Sequence, residues 1–381
     1  MKVELPAAFT ERMRALPGLD FGRFLAEYDR PPLRGLRVNT LRCATESFVL
    51  SAPFELSRTP FCDDGFYLAE PVSGRHPWHH AGVFYLQEPS AMAAVEALAP
   101  QPGMAVLDLC AAPGGKATQI AARLQGRGLL VCNEVIPARA RALLSNIERC
   151  GVRNAVVLCE QPKVLCERLQ GFFDCVLVDA PCSGEGMFRR EPQAAAEWHE
   201  DLPAACAARQ LEILCCAADA LREGGTLVYS TCTFAPEEDE GVIDRFLKRR
   251  GDYEVEAIER PFGRPAMPQW ASAAPCVALA RRIFPEDGGE GHFIARLRRR
   301  SQGTSAVPAC QTGSEPKSGS DSKSALRLFT EFYRENFQAP LYGEPFERGG
   351  SIYIAPPLLP PTQGLHVMRA GVFAGKVRGT R

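Results

Sequence analysis

Residues 105–134 read AVLDLCAAPGGKATQIAARLQGRGLLVCNE, and they hold the clearest structural pattern in the chain. An apolar run, AVLDLCA, leads into a turn of small residues. The helical segment KATQIAARL follows, and a second apolar run, GLLVCNE, comes after it. Apolar runs of four to six residues that alternate with helical segments are typical of βαβ units. The stretch therefore predicts two parallel strands of a sheet that is buried on both faces.

The same alternation extends from residue 83 to about residue 300. A helix is predicted at ARARALLSNIERCG (138–151), and a longer one at ACAARQLEILCCAADAL (205–221). Three further strands are predicted at AVVLCE (155–160), FDCVLVDAPC (173–182) and GTLVYSTCT (225–233). The prediction for residues 83–300 is one α/β domain with a mostly parallel central sheet.

Three further regions flank this domain. Residues 1–82 begin with the amphipathic segments FTERMRALPG and FGRFLAEYDR, continue past Pro31-Pro32 into a strand-like RGLRVNTLR, and predict a small α+β region. Residues 301–324 are rich in Ser, Gly, Thr and Lys and predict a flexible linker. Residues 325–381 start with the helical ALRLFTEFYRENF and then contain the short strands IYIA and LHVM, so a small α+β appendage is expected.

The composition is that of a soluble globular protein, with 46% hydrophobic and 23% charged residues and a formal net charge of −1. No apolar run approaches the roughly 18 to 20 residues of a transmembrane helix, and the N-terminus does not resemble a signal peptide. A cytoplasmic location is therefore expected, without a membrane partner. Arginine clusters, such as Arg189-Arg190 and the run from Arg296 to Arg300, permit RNA binding without showing it.

The chain has 15 cysteines, which are scattered and often lie inside apolar runs. No pair has the CxxC spacing of a zinc site, so no metal is expected. Most of the cysteines are expected to be small core side chains in a reducing compartment. A functional role can therefore be inferred for a cysteine only from features that are specific to its position.

The turn after the first strand, DLCAAPGGK (108–116), is the candidate ligand site. A phosphate-binding loop needs a glycine five residues before Gly-Lys and a Ser or Thr after the lysine, but Cys110 and Ala117 stand there. The dinucleotide fingerprint GxGxxG is also absent. A small-residue turn of another kind remains, at the edge of a parallel sheet where ligands bind. Glu134, at the tip of the next strand, suits a pair of ribose hydroxyls.

Two cysteines follow strands of the same sheet. The fourth strand leads into Asp179, Pro181 and Cys182, and the fifth ends at Thr231-Cys232. Because the carboxyl ends of parallel strands meet at one edge, both cysteines are expected beside the small-residue turn. Together with Asp179, they indicate a chemical site at this edge of the sheet.

Four segments in order, DLCAAPGGKATQ, CNEVIPARA, VDAPCSGEGMFR and YSTCTFAPEEDE, resemble the RNA cytosine-5 methyltransferases of the Nop/Sun family. The likeness includes VFYLQEPSAM (83–92) and GEGHFIARL (289–297) and covers roughly residues 30 to 300. PCSGEGMFR and the tail resemble the bacterial ribosomal-RNA branch. The resemblance implies a Rossmann-like class I methyltransferase fold, with S-adenosylmethionine as cofactor and RNA as partner.

The resemblance also implies roles for individual residues. The expected catalytic residues are Cys232 as the nucleophile that attacks carbon 6 of cytosine, Cys182 as an aid to release, Asp179 at the cytosine edge, and Lys116 beside a thiol or an RNA phosphate. The expected cofactor-binding residues are Cys110, Ala111, Ala112, Pro113, Gly114, Gly115, Lys116, Glu134, Arg139, Gln161 and Asp179. The adenine contact is left open between Glu160 and Gln161.

Other interpretations stay open from the sequence. Small-subunit (16S) ribosomal RNA, within a ribosomal particle, is the expected substrate by resemblance, and transfer RNA is the alternative. A ribosome-assembly or RNA-binding factor that keeps the fold is a second class of function, and methylation of a protein or small molecule is a third. Residues 1–82 are expected to bind RNA, and the tail resembles a truncated RNA-binding module. DNA is not expected as a partner, and a monomer is the default expectation.

Overall fold

The computed structural model describes residues 3–301, 320–356 and 358–376, and these residues form three β-sheets with helices around them. Most of the linker predicted at residues 301–324 lies outside the described residues. No described helix combines the length and the apolar character needed to cross a membrane.

The N-terminal region contains a four-stranded sheet in the described residues, in the order β2-β3-β1-β4. Its elements are α1 (Ala7–Ala15), α2 (Phe21–Ala26), β1 (Gly35–Val38), α3 (Thr45–Ser51), β2 (Leu56–Arg58), β3 (Gly65–Leu68), α4 (Pro77–His80) and β4 (Phe84–Leu86). Helix α1 forms because Phe9 and Met13, four residues apart, share one face, and both are buried. They pack with Phe24, Phe188 and Phe234, so the N-terminal helices rest on segments that follow the two candidate cysteines.

The central domain alternates strands and helices, as the sequence predicts. Its first half contains α5 (Ala93–Leu98), β5 (Ala105–Asp108), α6 (Gly115–Leu124), β6 (Leu129–Asn133), α7 (Pro137–Arg149), β7 (Ala155–Leu158), α8 (Pro162–Arg168) and β8 (Phe173–Asp179). Its second half contains α9 (Pro192–Glu197), α10 (Leu202–Ala220), β9 (Leu221–Thr231), α11 (Glu240–Arg249), β10 (Tyr253–Glu256), β11 (Arg264–Pro265), β12 (Arg281–Ile283) and β13 (His292–Arg299). Short 3-10 helices lie at Glu27–Asp29, Ser90–Met92, Glu185–Met187, Pro268–Trp270, Pro275–Leu279 and Pro285–Asp287.

The central sheet has a parallel middle and antiparallel margins. Strands β7, β6, β5, β8 and β9 lie side by side in this order and run parallel. Strand β13 pairs antiparallel with β9, and β10 and β12 pair antiparallel with β13. Every residue of β5 and β6 is buried, because two hydrophobic clusters cover the two faces of the sheet. The predicted α/β fold with parallel βαβ units is confirmed.

The tail contains α12 (Ser320–Asn336), β14 (Pro345–Arg348), β15 (Ser351–Ile354), β16 (Val367–Ala370) and β17 (Val372–Lys376). Strands β14, β15 and β17 form a small antiparallel sheet. Strand β16 instead pairs antiparallel with β7 at the edge of the central sheet. The helix predicted from Ala325 begins earlier, at Ser320, and the strand predicted at LHVM is displaced to Val367–Ala370.

Candidate active site

The turn after β5 is held in place by helix α7. Nη2 of Arg139 donates to the carbonyl oxygen of Ala112 at 3.0 Å, and Nδ2 of Asn146 donates to the carbonyl oxygen of Pro113 at 2.8 Å. Gly114 has a φ of +116°, in the region that side chains other than glycine disfavour. Helix α6 begins at the next residue, so its free N–H groups lie at the turn. The turn therefore presents backbone donors at the carboxyl edge of the sheet.

A cavity of about 250 Å³ opens beside this turn. Seven of the predicted site residues line it: Cys110, Ala111, Ala112, Pro113, Gly115, Lys116 and Asp179. The rest of its lining comes from the segment around β4, from the end of β5 and from the loop after Cys182: Tyr85, Leu86, Gln87, Glu88, Ala91, Asp108, Met187, Arg190 and Glu191. The predicted residues Gly114, Glu134, Arg139, Gln161, Cys182 and Cys232 lie outside this lining.

Lys116 and Asp179 form an ion pair in the cavity wall. Nζ of Lys116 donates to Oδ2 of Asp179 at 2.7 Å, and Oγ of Ser230 donates to Oδ1 at 2.8 Å. Burial alone would raise the pKa of Asp179, but Lys116 and these hydrogen bonds bring it below its usual value. Burial likewise opposes the charge of Lys116, yet Asp179 raises the pKa of the ammonium overall. Both groups are therefore charged at neutral pH.

The two predicted cysteines meet at the edge of the sheet. Their Sγ atoms are 3.4 Å apart, because β8 and β9 are parallel neighbours and each cysteine closely follows a strand end. The hydrogen bond with Cys232, and then burial, raise the pKa of Cys182 well above its usual value. The high pKa of Cys182 keeps its thiol protonated at neutral pH. Cys232 interacts electrostatically with the Lys116 ammonium.

A buried carboxylate fixes the loop that carries Cys182. Glu238 accepts hydrogen bonds from the backbone N–H of Ser183 at 3.0 Å and from Nε2 of Gln210 at 2.7 Å, as well as one from the Ser183 hydroxyl. The backbone N–H of Gly186 donates to the carbonyl oxygen of Cys232 at 2.9 Å. The two cysteine segments are thus tied to each other and to helix α10.

At the predicted ribose corner Glu134 is buried and Arg139 is half exposed. Oε1 of Glu134 accepts the backbone N–H of Ile136 at 2.9 Å, and Oε2 lies 3.2 Å from Nη1 of Arg139. Arg139 therefore links Glu134 to the turn, since it also donates to Ala112. Gln161 is exposed at the start of α8, where its backbone N–H donates to Oε1 of Glu160 at 2.8 Å.

Among the ionisable residues of the cavity lining that were not predicted as site residues from the sequence, Asp108 is the most deeply buried. It is fully buried, and neither carboxylate oxygen has a hydrogen-bond partner; the N–H of Cys110 approaches it without reaching hydrogen-bond geometry. Burial, reinforced by Asp179, raises the pKa of Asp108 to about 8. An unpartnered carboxylate that lines a cavity fits a ligand with a positively charged group. The only sequence feature that could have indicated Asp108 as a site residue is its position at the end of β5.

Within residues 3–301, 320–356 and 358–376, no group of three or more His, Cys, Asp or Glu side chains is placed to hold a metal.

The chain was compared with known proteins. Residues 95–298 match the family model "16S rRNA methyltransferase RsmB/F", and residues 5–89 match "N-terminal domain of 16S rRNA methyltransferase RsmF". The chain is 40% identical over 326 residues to ribosomal RNA small subunit methyltransferase F of Escherichia coli O157:H7, a match that covers 81% of this chain and 66% of that relative. The chain thus spans just under two thirds of that relative's length.

Solved structures agree with the fold. A methyltransferase homolog protein from Pyrococcus horikoshii superposes with a TM-score of 0.69 at 32% identity, over 78% of this chain and 96% of that one. NSun6 from Pyrococcus horikoshii, solved with SFG, has a TM-score of 0.69 at 22% identity, over 79% of this chain and all of that one, and shows the fold alone. The expected class I methyltransferase fold is therefore confirmed. Because the family model matches more than half of the 381 residues, the chain belongs to the 16S rRNA methyltransferase RsmB/F family.

Proposed function

We propose that this protein transfers a methyl group from S-adenosylmethionine to carbon 5 of a cytosine in RNA, through a covalent adduct between Cys232 and carbon 6. The observation that carries the proposal is the pair of thiols 3.4 Å apart, beside the Lys116–Asp179 ion pair that lines the cavity. Methyl transfer to an oxygen or an amine does not require two cysteines. Methylation of carbon 5 of cytosine does require a nucleophile, since this carbon is too weak a nucleophile by itself.

The cavity fits S-adenosylmethionine, which carries an ammonium and a sulfonium. Asp108, protonated near neutral pH in the free protein, would lose its proton beside a positively charged group of the cofactor, and the backbone donors of the turn match the carboxylate of the methionine part. The segment Cys110–Lys116 would hold the methionine part, and Glu134, ordered by Arg139, the ribose. Gln161 or Glu160 would contact the adenine. When bound, the cofactor supplies an electrophilic methyl group.

The side chains then activate the cytosine. The thiolate of Cys232 adds to carbon 6 and forms a C–S bond, which breaks the ring's aromaticity and makes carbon 5 enamine-like. The ionised Asp179 carboxylate accepts a hydrogen bond from the exocyclic amino group at the cytosine edge and so orients the ring for attack. Lys116 pairs with Asp179 and keeps this carboxylate ionised, and its positive charge interacts with Cys232.

Release requires that the proton on carbon 5 leaves and that the C–S bond breaks. The protonated thiol of Cys182 contacts the thiol of Cys232. Cys182 is expected to act in the step in which a base removes the carbon 5 proton, or in the step next to it. When the carbon 5 proton has been removed, the electron pair of that C–H bond restores the aromatic ring and Cys232 leaves as a thiolate. Loss of Cys182 is therefore expected to slow release more than addition.

The substrate is proposed to be small-subunit ribosomal RNA. The relatives at 40% identity are named as small-subunit ribosomal RNA methyltransferases, and transfer RNA is the alternative. We further propose that the N-terminal region (1–82) and the tail (325–381) help bind this RNA, on either side of the methyltransferase domain (83–300), and that the enzyme works as a cytoplasmic monomer.

Bisulfite sequencing of total RNA tests the reaction and the substrate together. Cells without the gene, and cells that carry Cys232→Ala, are expected to lose protection at the same cytosine. Cys182→Ala is expected to accumulate a protein–RNA adduct on denaturing gels, whereas the Cys182→Ala/Cys232→Ala double variant should form none. Cys276→Ala, at an exposed cysteine outside the cavity lining, is the control. Full protection in the Cys232→Ala strain would contradict the mechanism and favour an RNA-binding factor that keeps the fold.

A further inference from the structure

The segment VFYLQEPSAM (83–92) is one of the sequence motifs, but it has no role in the mechanism above. It is tied to β13, since the carboxylate of Glu88 accepts the hydroxyl of Ser90 at 2.6 Å and Oγ of Ser90 lies 3.0 Å from Nδ1 of His292. Gln87, the residue before Glu88, lines the cavity beside the turn. The mechanism gives its side-chain amide no role either.

A buried arginine holds the Gln87 side chain. Arg37 lies in β1 and pairs with Tyr85 of β4, and because side chains alternate along a strand, Tyr85 and Gln87 share the face on which Arg37 lies. Nε of Arg37 donates to Oε1 of Gln87 at 3.1 Å. Nη2 donates to Oγ1 of Thr118 at 2.8 Å and to the carbonyl oxygen of Gly115 at 3.2 Å. The same guanidinium therefore contacts Gln87 and the first turn of α6.

These contacts fix the orientation of the Gln87 amide. An arginine side chain only donates hydrogen bonds, so the amide atom that faces Nε of Arg37 must be the oxygen. Nε2 is then the other atom of the amide, and it lies 3.4 Å from the point where a Cβ of Gly115 would be. Gln87 is 8% exposed, and Nε2 donates no hydrogen bond within the part of the chain that the structure describes. The amide N–H groups are thus available donors beside the N-terminus of α6.

Arg37 also brings a positive charge that no acid neutralises by direct contact. Its three acceptors are uncharged, and among the described residues it forms no ion pair; the Asp64 carboxylate acts on it only electrostatically. Arginine keeps its proton in proteins, and a buried charge without a charged partner costs free energy. The nearby Lys116 ammonium, by contrast, is paired with Asp179. The wall formed by Gln87 and the start of α6 therefore favours an anionic group.

We propose that Nε2 of Gln87 donates a hydrogen bond to the carboxylate of the methionine part of S-adenosylmethionine, and that Arg37 is a positioning residue that orients this amide and favours the negative charge. The inference rests on the proposed function for the identity of the ligand. The carboxylate is the one negatively charged group of this cofactor, and the backbone donors that match it belong to the turn that Nε2 adjoins at Gly115. An RNA phosphate is the other anion that could reach this wall, and the experiment separates the two.

The test compares two ligands that differ by this carboxylate. Isothermal titration calorimetry of the full-length protein gives the Kd of S-adenosylmethionine and of decarboxylated S-adenosylmethionine, which keeps the sulfonium, the amine and the adenosine. Gln87→Glu replaces the Nε2 donor by an oxygen and still accepts the hydrogen bond of Arg37. We expect this variant to bind S-adenosylmethionine at least about tenfold more weakly, because a charge-assisted hydrogen bond becomes a repulsion. The decarboxylated ligand should bind within about twofold of wild type, or more tightly.

Arg37→Lys tests the positioning role and provides a second route if Gln87→Glu does not fold. Lysine keeps the charge but lacks the planar fork that contacts Gln87 and Thr118 together, so S-adenosylmethionine should bind about threefold more weakly. Arg37→Met also loses the charge and should show a greater loss for this ligand, whereas the Kd of the decarboxylated ligand should change little in either variant. A merely structural role of Arg37 would weaken both ligands equally. Gln101→Glu, the same change at an exposed glutamine outside the cavity lining, is the control and should leave both Kd values within about twofold.

An equal loss for both ligands in Gln87→Glu, or wild-type values for both, would overturn the proposal. Weaker RNA binding in this variant with an unchanged Kd of S-adenosylmethionine would also overturn it and would assign the amide to an RNA phosphate. If the dependence on the carboxylate appears but wild-type protein methylates no RNA, the proposed reaction fails and the cofactor contact stands. If wild-type protein methylates RNA and Gln87→Glu shows no such dependence, the cofactor contact alone fails.

Discussion

Among the 14 cysteines that the structure describes, Cys182 and Cys232 are the pair whose thiols contact each other. Residues such as Cys62, Cys132 and Cys175 are buried, and burial raises the pKa of each thiol, so they behave as small core side chains. Cys232 instead lies beside a protonated thiol and in the field of an ammonium. The reactivity proposed for Cys232 depends on these neighbours, which it meets directly after the end of β9.

The unpartnered carboxylate of Asp108 should make the stability of the free protein depend on pH. The pKa of Asp108 is about 8 in the folded protein, above its ordinary value of 3.8. The folded state therefore binds an extra proton between these values. This bound proton stabilises the folded state fully below pH 3.8, and the stabilisation is lost as the pH rises through about 8. In this window the free energy of unfolding should fall by at most about 1.4 kcal/mol per pH unit because of this one group.

The measurement is urea unfolding of wild type and Asp108→Asn at several pH values between about 4 and 8. Asparagine resembles the protonated acid, so the free energy of unfolding of the variant should increase relative to that of wild type as the pH rises. Gln119→Glu, which places a carboxylate in the neighbouring buried helix α6, is a control for acid burial outside the cavity. If the free energies of unfolding of wild type and Asp108→Asn depended on pH in the same way, the Asp108 carboxylate would have a partner in solution.

At the scale of elements, one buried carboxylate connects helix α1 to both cysteine segments. Glu185 accepts hydrogen bonds from Nη2 of Arg12 at 2.5 Å, from Nε1 of Trp198 at 3.0 Å and from the N–H of Phe234 at 3.2 Å. Its side chain is fully buried, whereas Arg12 is 23% exposed. Glu185, from the PCSGEGMFR segment, thus adds to the packing of Phe9 and Met13 in holding α1 against the loop that follows Cys182.

Glu185→Ala should destabilise this interface. It leaves a largely buried arginine and an indole N–H without an acceptor, so we expect a loss of about 2 to 4 kcal/mol in the free energy of unfolding. Hydrogen exchange should become faster in residues 7–26 and in the loop at 183–191. Glu11→Ala, an exposed acid on the same helix, is the control and should change stability by less than about 0.5 kcal/mol. Equal exchange in both variants would mean that hydrophobic packing alone holds α1.

At the scale of the whole molecule, the tail returns to the central sheet. The N–H of Cys159 donates to the carbonyl oxygen of His366 at 3.0 Å, and the N–H of His366 donates to Oε2 of Glu160 at 3.2 Å. Leu365, Val367 and Ala370 join the core cluster on one face of the sheet. Strand β16 therefore covers an edge of the sheet and holds Glu160, one of the two candidates for the adenine contact.

Val367→Asp should detach this strand, because it places a charge in the core cluster. Alkylation of Cys159 is expected to become several times faster, and the Kd for S-adenosylhomocysteine should rise if Glu160 or Gln161 contacts adenine. Arg348→Asp changes an exposed residue of the same tail and should leave both quantities unchanged. Unaltered cofactor affinity together with fast Cys159 alkylation would exclude a contribution of β16 to the cofactor site.

The sequence alone determined the parallel half of the sheet, the turn at 108–116 and the meeting of Cys182, Cys232 and Asp179 at one edge. These follow from local periodicity and from the rule that parallel strands end on the same side. Only the tertiary structure decided the antiparallel half of the sheet, the pairing of β16 with β7, the unpartnered state of Asp108 and the Glu88–Ser90–His292 contacts. Ser90 and His292 are 202 positions apart, and contacts over such a distance depend on how whole elements pack, which leaves no repeating pattern in the chain.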